Sequence, residues 1–165
     1  MDKKRFVRDC IFHLALVIMI VLVDQLTKAW ARECLSVRPV ILWKNIFSLQ
    51  LVFNTGGPWG LLGKYTILLT VFSVLIFCFL VGIYLRMPRT KRMVPLRICA
   101  VLIVAGAVGN FIDRIIFHKV TDLFSFDLIH FPVFNVADIA ITCGCILAFA
   151  LTLFYYKDED FQWKK

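Results

Sequence analysis

Charged side chains are scarce in this sequence of 165 residues, where they account for 18% of the positions while 61% are hydrophobic. A soluble domain of this length needs more polar surface than that to cover its core. The scarcity of charge therefore excludes an ordinary soluble fold, and the high apolar content also excludes a disordered chain. A membrane protein is the class that fits this composition.

Several motifs that mark common kinds of site are also missing. The sequence contains no HExxH, and its six cysteines form neither a CxxC pair nor a cysteine–histidine group with zinc spacing. None of the serines has histidine and aspartate nearby in the pattern of a serine hydrolase. The formal net charge is +8, but the basic residues form no stripe outside the chain ends and one short connector. Nucleic-acid binding and a zinc site are therefore not indicated.

Four apolar stretches dominate the sequence, at about 11–30, 65–85, 97–117 and 136–156. At a helical rise of ~1.5 Å per residue, each is long enough to cross a hydrocarbon core of ~30 Å. We therefore predict a single four-span membrane domain over residues 1–165. The fold class is an all-α membrane protein with four transmembrane helices and a small β-sheet in the first outer loop.

Basic residues concentrate in three segments that lie on one side of the membrane if there are four spans. They are the N-terminal segment 3–8, the connector 86–97 and the C-terminal tail 157–165. Because cytoplasmic segments carry an excess of Lys and Arg, we predict that both termini and the connector are cytoplasmic. The loop at about 31–64 and the loop between the third and fourth spans then lie outside.

The first outer loop contains two β-type runs, Pro39–Trp43 and Ile46–Phe53. Side chains of the second run alternate between two faces, with Ile46, Ser48, Gln50 and Val52 on one and Phe47, Leu49, Leu51 and Phe53 on the other. This alternation predicts a small amphipathic sheet lying on the outer membrane surface. Gly56-Gly57-Pro58 should then break the chain before the second span.

Ionisable and amide side chains converge at one depth, toward the outer leaflet. The set comprises Asp24, Lys28, Asn54, Asn110, Asp113, Arg114, Asp122, Asn135 and Asp138. Ionisable groups are costly within a membrane, so each of them requires an explanation. Two aspartates held close together cannot both ionise cheaply, and such a pair can hydrolyse a peptide bond with one as acid and the other as base.

Structural roles remain open for the same acids. Asp24 precedes Lys28 by one helical turn and can pair with it. Asp138 can be an N-cap-type or first-turn acid of the fourth span, which the helix dipole favours. Asn135, three residues earlier, is itself a candidate N-cap. Asp122, taken alone, is typical of a solvated loop acid. A transporter or proton relay and a non-catalytic assembly subunit are the alternative functions, because both also use intramembrane acids.

Five short motifs resemble, in order, those of the lipoprotein signal peptidase (signal peptidase II) family. They are Asp24-Gln-Leu-Thr-Lys28, Asn54-Thr-Gly-Gly57, Gly109-Asn-Phe-Ile-Asp-Arg114, Val120-Thr-Asp-Leu-Phe124 and Phe134-Asn-Val-Ala-Asp138. The resemblance extends from the first span through the fourth. It implies an intramembrane aspartic endopeptidase of the bacterial cytoplasmic (inner) membrane. Such an enzyme removes the signal peptide from diacylglyceryl-modified prolipoproteins, just before the lipid-bearing cysteine.

The resemblance also implies a role for each residue of the polar set. Asp122 and Asp138 would form the catalytic dyad, which needs neither a metal nor an organic cofactor. The remaining residues would bind the substrate or support the site: Asn54, Asn110, Asp113, Arg114, Asn135, Asp24 and Lys28. Expected partners are the prolipoprotein substrate, membrane lipids and inhibitors of the globomycin type. One departure is Gly57-Pro58-Trp59-Gly60, where the family usually has small residues and Phe. Because Pro58 fixes φ and removes a backbone donor, the resemblance does not predict the shape of the connection between the β-type run and the second span.

Overall fold

The computed structural model describes residues 3–55, 66–88 and 90–161. These ranges contain four α-helices: α1 (Lys3–Cys34), α2 (Thr66–Arg86), α3 (Val94–Phe117) and α4 (Val136–Phe154). They correspond to the four predicted stretches, and α1 differs most, because it extends beyond its apolar run at both ends. The predicted chain break at Gly56-Gly57-Pro58 and the departure at Gly57-Pro58-Trp59-Gly60 lie outside the described residues.

Three helical segments of the described chain are long and apolar enough to cross a membrane. They are Val7–Cys34, Lys91–Phe117 and Val136–Phe154, and Ser73–Arg86 within α2 is a shorter apolar helix. The chain is therefore a mostly helical membrane protein with a small sheet. The four-span topology stays a prediction, since it requires α2 to cross the membrane as well.

Glycines allow α3 to lie very close to both α1 and α4. A Cβ atom at Gly106 would collide with the backbone carbonyl oxygen of Ala137 in α4. A Cβ atom at Gly109 would lie 2.6 Å from Oδ2 of Asp24 in α1. Small residues at such positions are typical of helix contacts in membranes, where they let backbones approach each other. This close packing brings the polar residues of α1, α3 and α4 together.

Polar side chains also connect α2 to α1 and α3, at the end of the bundle opposite the sheet. His13 Nδ1 lies 2.6 Å from the Tyr84 hydroxyl, and Arg97 Nη2 donates to the Met87 carbonyl oxygen at 2.8 Å. The Arg97 guanidinium lies 5.5 Å from the centroid of the Tyr84 ring. Only apolar or small residues follow in 14–23 of α1 and in 98–108 of α3. This cluster is therefore separated from the polar residues at the end of the bundle that carries the sheet.

The segment after α1 contains two antiparallel strands, as predicted: β1 (Val40–Trp43) and β2 (Phe47–Asn54). Asn45 in the turn between them has a left-handed φ of 61°, which asparagine tolerates better than most residues. A third strand, β3 (Val120–Phe126), pairs antiparallel with β2, so the sheet order is β1–β2–β3. We predicted only a loop there. Because β3 is buried on both faces for most of its length, its sequence lacks the alternation that reveals a half-buried strand.

The predicted division of β2 into two faces is only partly correct. Leu49 and Leu51 pack as expected on a small core formed by Ala31, Leu35 and Leu123. Phe53 was assigned to the same face, yet it is 43% exposed. The register between β2 and β3 is irregular between Leu49 and Val52, and such an irregularity interrupts the alternation of faces. The core nevertheless holds the sheet on the C-terminal end of α1, and the position of the sheet at the membrane surface stays a prediction.

Candidate active site

Lys28 of α1 is fully buried and is surrounded by acceptors. Its Nζ lies 2.8 Å from Asp24 Oδ2, 3.0 Å from Asn110 Oδ1 and 3.8 Å from Asp113 Oδ2. The Asp24–Lys28 contact is the ion pair that the spacing of four residues predicted. Asp24 Oδ1 also accepts a hydrogen bond from the backbone N–H of Ala137, at 2.9 Å. Lys28 and Asp24 thus join α1 to both α3 and α4.

Asp113 of α3 connects that helix to strand β3. Its Oδ2 accepts a hydrogen bond from the backbone N–H of Thr121 at 2.8 Å, and its Oδ1 lies 3.3 Å from the donor Gln25 Nε2. Arg32 Nη1 lies 4.0 Å from Asp113 Oδ2. The neighbouring Arg114 faces a cavity instead, because adjacent helix residues do not share a face. Asp113 therefore serves as an acceptor that holds the strand in place.

Asn135 connects the two aspartates to which the family resemblance gives the catalytic role. Its Nδ2 donates to Asp122 Oδ1 at 2.6 Å, and its backbone N–H donates to Asp138 Oδ2 at 3.2 Å. The backbone N–H of Asp138 donates to Asn135 Oδ1 at 2.9 Å, which completes a capping box at the start of α4. Asn54 Nδ2 donates to Asp122 Oδ2 at 3.2 Å, and Asn110 Nδ2 donates to Asp138 Oδ1 at 2.8 Å. Each carboxyl group is thus oriented by two amide donors.

These contacts test the structural roles that the sequence left open for Asp24, Asp138 and Asp122. The predicted ion pair of Asp24 and the predicted cap at Asp138 are both present. The interpretation of Asp122 as a solvated loop acid is wrong, because it lies within β3 opposite Val52 and is 2% exposed. Its burial follows from the third strand, which the sequence pattern did not reveal.

A cavity of about 460 Å³ lies beside both aspartates. Polar side chains line one part of it: Asn54, Asn110, Arg114, Asp122 and Asp138. The rest of its lining is mainly apolar and comes from Val120 of β3, from residues 131–134 and from Ile139, Ile141, Thr142 and Cys143 of α4. The other four predicted site residues are fully buried rather than on this wall: Asp24, Lys28, Asp113 and Asn135. A few convergent polar groups in an apolar cleft are typical of a site for a partly apolar ligand.

The environment of Asp122 favours its protonated form near neutral pH. Burial, followed by the neighbouring Asp138 carboxylate, raises the pKa of the Asp122 carboxyl group from 3.8 to about 7. The hydrogen bonds from Asn54 and Asn135 and the charge of Lys28 act in the opposite direction. Because the two carboxyl groups interact, the proton belongs to the pair rather than to either residue.

The charges of the whole cluster point to the same protonation state. Its acids are Asp24, Asp113, Asp122 and Asp138, and its cations are Lys28, Arg32 and Arg114. If Asp122 and Asp138 share one proton, the negative charges equal the positive ones. An unbalanced buried charge is costly, so this balance of formal charges agrees with a pair that shares one proton. The site can therefore hold one acid and one base side by side.

Three polar residues of this network were absent from the predicted site: Gln25, Arg32 and Thr121. Gln25 Nε2 lies 3.1 Å from both Asp24 Oδ2 and the carbonyl oxygen of Gly109. Gln25 precedes Lys28 by three residues and Arg32 follows it by four, so helical spacing was the signal available for both. Thr121 has no helical spacing of this kind; the signal available for it was its place in the motif Val120-Thr-Asp-Leu-Phe124, while its contacts depend on the unpredicted strand.

Sequence comparisons connect this geometry to known proteins. A profile described as signal peptidase (SPase) II matches residues 16–154. A lipoprotein signal peptidase of Clostridium acetobutylicum is 38% identical over 131 residues, which cover 77% of this chain and 84% of that protein. One of Clostridium tetani is 31% identical over 160 residues, covering 93% of this chain and 97% of that protein.

A structural comparison gives the same result for the fold. A bacterial membrane enzyme solved by the in meso method at 2.3 Å resolution superposes with a TM-score of 0.77. The match covers 93% of this chain and 94% of that one, at 23% sequence identity, so it concerns the fold alone. The region matched by the family profile contains all five motifs and every residue of the polar cluster. The chain belongs to the signal peptidase II family.

Proposed function

We propose that this chain is an aspartic endopeptidase that removes signal peptides from prolipoproteins, cutting just before a diacylglyceryl-modified cysteine. Membership of the family supports the reaction. The observation that supports the chemistry is Asn135, which donates one hydrogen bond to Asp122 and another to Asp138 beside a shared cavity. We assign these two aspartates the catalytic role.

The proposed mechanism uses the two carboxyl groups and one water molecule. The ionised carboxylate takes a proton from the water, whose oxygen attacks the carbonyl carbon of the scissile peptide bond. The protonated carboxyl group gives its proton to the carbonyl oxygen. As the tetrahedral intermediate collapses, the C–N bond breaks and the carboxyl group that took the water proton gives it to the amine of the departing cysteine. The other carboxylate takes a proton back from a hydroxyl group of the intermediate, which restores the singly protonated pair. The signal peptide then leaves with a new carboxyl terminus.

The other residues of the site divide between substrate contact and support. We assign substrate contact to Asn54, Asn110 and Arg114, because each lines the cavity next to the dyad. The supporting residues are buried and do not line the cavity, and their preorganised hydrogen bonds hold the reacting groups in place. These are Asp24, Lys28, Asp113 and Asn135.

The position of the protein in the membrane determines how a lipid-modified substrate reaches the site. We propose that the chain lies in a bacterial cytoplasmic (inner) membrane, with both termini cytoplasmic and the site toward the outer leaflet. A lipid-modified substrate would be held by the surrounding lipids with its scissile bond at the depth of the dyad. The apolar part of the cavity suits such a substrate, and inhibitors of the globomycin type would compete for it.

A proton relay or transporter is less well supported by the arrangement of polar groups. Such a protein needs ionisable residues along the depth of the membrane. Here the inner cluster of His13, Tyr84 and Arg97 is separated from the outer site by the apolar segments 14–23 and 98–108. The polar groups therefore form a site at one depth rather than a path.

The proposed function predicts that the lipid modification is required. Purified protein in detergent micelles should process a synthetic prolipoprotein peptide that carries diacylglycerol on its cysteine. It should leave the same peptide without the lipid essentially uncut, as mass spectrometry of the products would reveal. Equal processing of both peptides, or none of the modified peptide by correctly folded protein, would contradict the proposal.

The raised pKa of Asp122 predicts an alkaline limit to activity. The pair carries the proton it needs below its pKa of about 7, and above that pH both carboxyl groups are ionised. We therefore expect kcat/KM to fall about tenfold for each pH unit above roughly pH 7 to 8. A pH–rate profile, with the thermal midpoint of the protein recorded at each pH, measures this. A constant rate up to pH 9 would contradict the assignment of the acid.

Orientation in the membrane can be tested with single cysteines in a variant whose natural cysteines are replaced. Lys91 lies in the inner connector, and Leu128, which is 66% exposed, lies in the outer segment after β3. A membrane-impermeant maleimide should label Leu128→Cys in intact cells and Lys91→Cys only after permeabilisation. The cysteine-free variant is the control. Labelling of both positions from the same side would overturn the proposed topology.

A further inference from the structure

Thr121, the residue before Asp122, is held by three different helices. Arg32 of α1 donates from Nη1 to Thr121 Oγ1 at 2.9 Å. The backbone N–H of Thr121 donates to Asp113 Oδ2 of α3 at 2.8 Å, and its carbonyl oxygen lies 3.4 Å from Nδ2 of Asn135, the N-cap of α4. The side chain is fully buried. Strand β3 is thus fixed to the helical bundle one residue before the proposed catalytic acid.

The contact with Arg32 differs in kind from the other two. Asp113 and Asn135 contact backbone atoms of Thr121, which any residue at this position would offer apart from the N–H of proline. Arg32 requires the side-chain hydroxyl. Its guanidinium lies 4.4 Å from the centroid of the Phe117 ring and 4.0 Å from Asp113 Oδ2, and these contacts orient it toward the strand. Of these three contacts, only the hydrogen bond with Arg32 depends on which side chain stands at position 121.

Pairing with β2 gives Asp122 less support than a regular sheet would. The β2–β3 register shifts between Leu49 and Val52, and Val52 is the partner of Asp122. A strand next to such an irregularity is locally bent, and its ladder is interrupted. Contacts from outside the sheet must then help to fix the backbone at Asp122. The hydrogen bonds that Thr121 makes with the helical bundle are such contacts.

We propose that Arg32 and Thr121 act together as positioning residues for Asp122, with their hydrogen bond setting where strand β3 presents the carboxyl group to the cavity. This inference rests on the proposed function. Neither side chain touches the reacting atoms, so their effect passes through the strand. A misplaced reacting group slows the chemical step more than it weakens substrate binding.

Four variants separate this role from general stabilisation. Thr121→Val keeps the side-chain shape but removes the hydroxyl, whereas Thr121→Ser retains it. We expect Thr121→Val and Arg32→Gln each to lower kcat about tenfold with KM unchanged, and Thr121→Ser to stay within about twofold of the unaltered protein. The double variant Thr121→Val/Arg32→Gln should be no slower than Arg32→Gln alone, because the hydrogen bond to Thr121 is already lost in that variant. Arg38→Gln, at an exposed arginine of the same outer segment, is the control and should leave kcat unchanged.

The kinetic constants are measured on purified, folded protein with the diacylglyceryl-modified peptide, so that differences in expression yield between variants do not affect kcat or KM. Because the side chain of Arg32 is 23% exposed, Arg32→Gln should fold even if Thr121→Val does not. Unchanged kcat in Arg32→Gln or Thr121→Val overturns the inference. A decrease of kcat in the double variant that equals the product of the two single decreases overturns it as well. An inactive unaltered protein overturns the proposed function itself, whereas an active one with unaffected variants overturns only this inference.

Discussion

Replacing Asp122 or Asp138 by asparagine should reduce turnover of a diacylglyceryl-modified prolipoprotein by at least about 10³-fold. Asparagine has nearly the same shape as aspartate, but it can neither hold nor release the proton that the pair shares. Since the two carboxyl groups act as one unit, the double variant should be hardly slower than either single variant. Each carboxyl group accepts hydrogen bonds at both oxygens, and asparagine can accept at only one, so each variant should lose some stability. Turnover is therefore compared on purified protein that is shown to be folded.

The comparison needs an aspartate outside the cavity as a control. Asp127 directly follows β3 and accepts a hydrogen bond from Ser125 Oγ at 2.6 Å. Asp127→Asn should therefore process the substrate at nearly the unaltered rate. Asp24→Asn should retain partial activity with reduced yield, because Asp24 supports the fold. Substantial turnover by Asp122→Asn or Asp138→Asn would rule out the dyad.

Replacing Lys28 by methionine should destabilise the folded protein by about 3–5 kcal/mol. The lysine is fully buried against Asp24 and Asp113, so its removal leaves both carboxylates without their nearest cation. Adding Asp24→Asn should recover part of this loss. The neutral amide removes one unbalanced charge, while its oxygen can still accept the hydrogen bond from the backbone N–H of Ala137.

Unfolding in detergent micelles, followed by circular dichroism as denaturant is added, gives the free energies for these variants. Lys44→Met is the matched control, because Lys44 is exposed in the turn between β1 and β2, and it should change the free energy of unfolding by less than about 0.5 kcal/mol. A loss below about 1 kcal/mol in Lys28→Met would mean that the buried ion pair is not needed to balance the cluster.

The helices could be predicted from the sequence because their signal is local. An apolar run such as 97–117 marks a helix by its length alone, and the structure has α3 at Val94–Phe117. The hairpin of β1 and β2 was also predictable, since its strands adjoin in sequence. Strand β3 was missed because its partner β2 lies some 70 residues earlier. No local pattern reports a pairing of that kind.

The candidate site shows the same division between local and distant contacts. The spacing of Asp24 and Lys28 predicted their ion pair, and the position of Asn135 predicted its cap on α4. Composition and depth identified the polar set, but not which of its members meet. The contact of Asn135 with Asp122 depends on β3, and that of Asn110 with Asp138 depends on the close packing of α3 and α4. The resemblance singled out Asp122 where its own surroundings in sequence had not.

Isotope labelling tests the central proposal most directly. Purified protein is incubated with the diacylglyceryl-modified peptide in water enriched in ¹⁸O, and both products are examined by mass spectrometry. If the Asp122 and Asp138 pair activates water for direct attack, the released signal peptide ends at the residue before the lipid-bearing cysteine. Its new carboxyl group then carries one ¹⁸O after a single turnover, and the Asp122→Asn variant yields neither product. A cut at another bond, or the same labelled product from Asp122→Asn, would contradict the account.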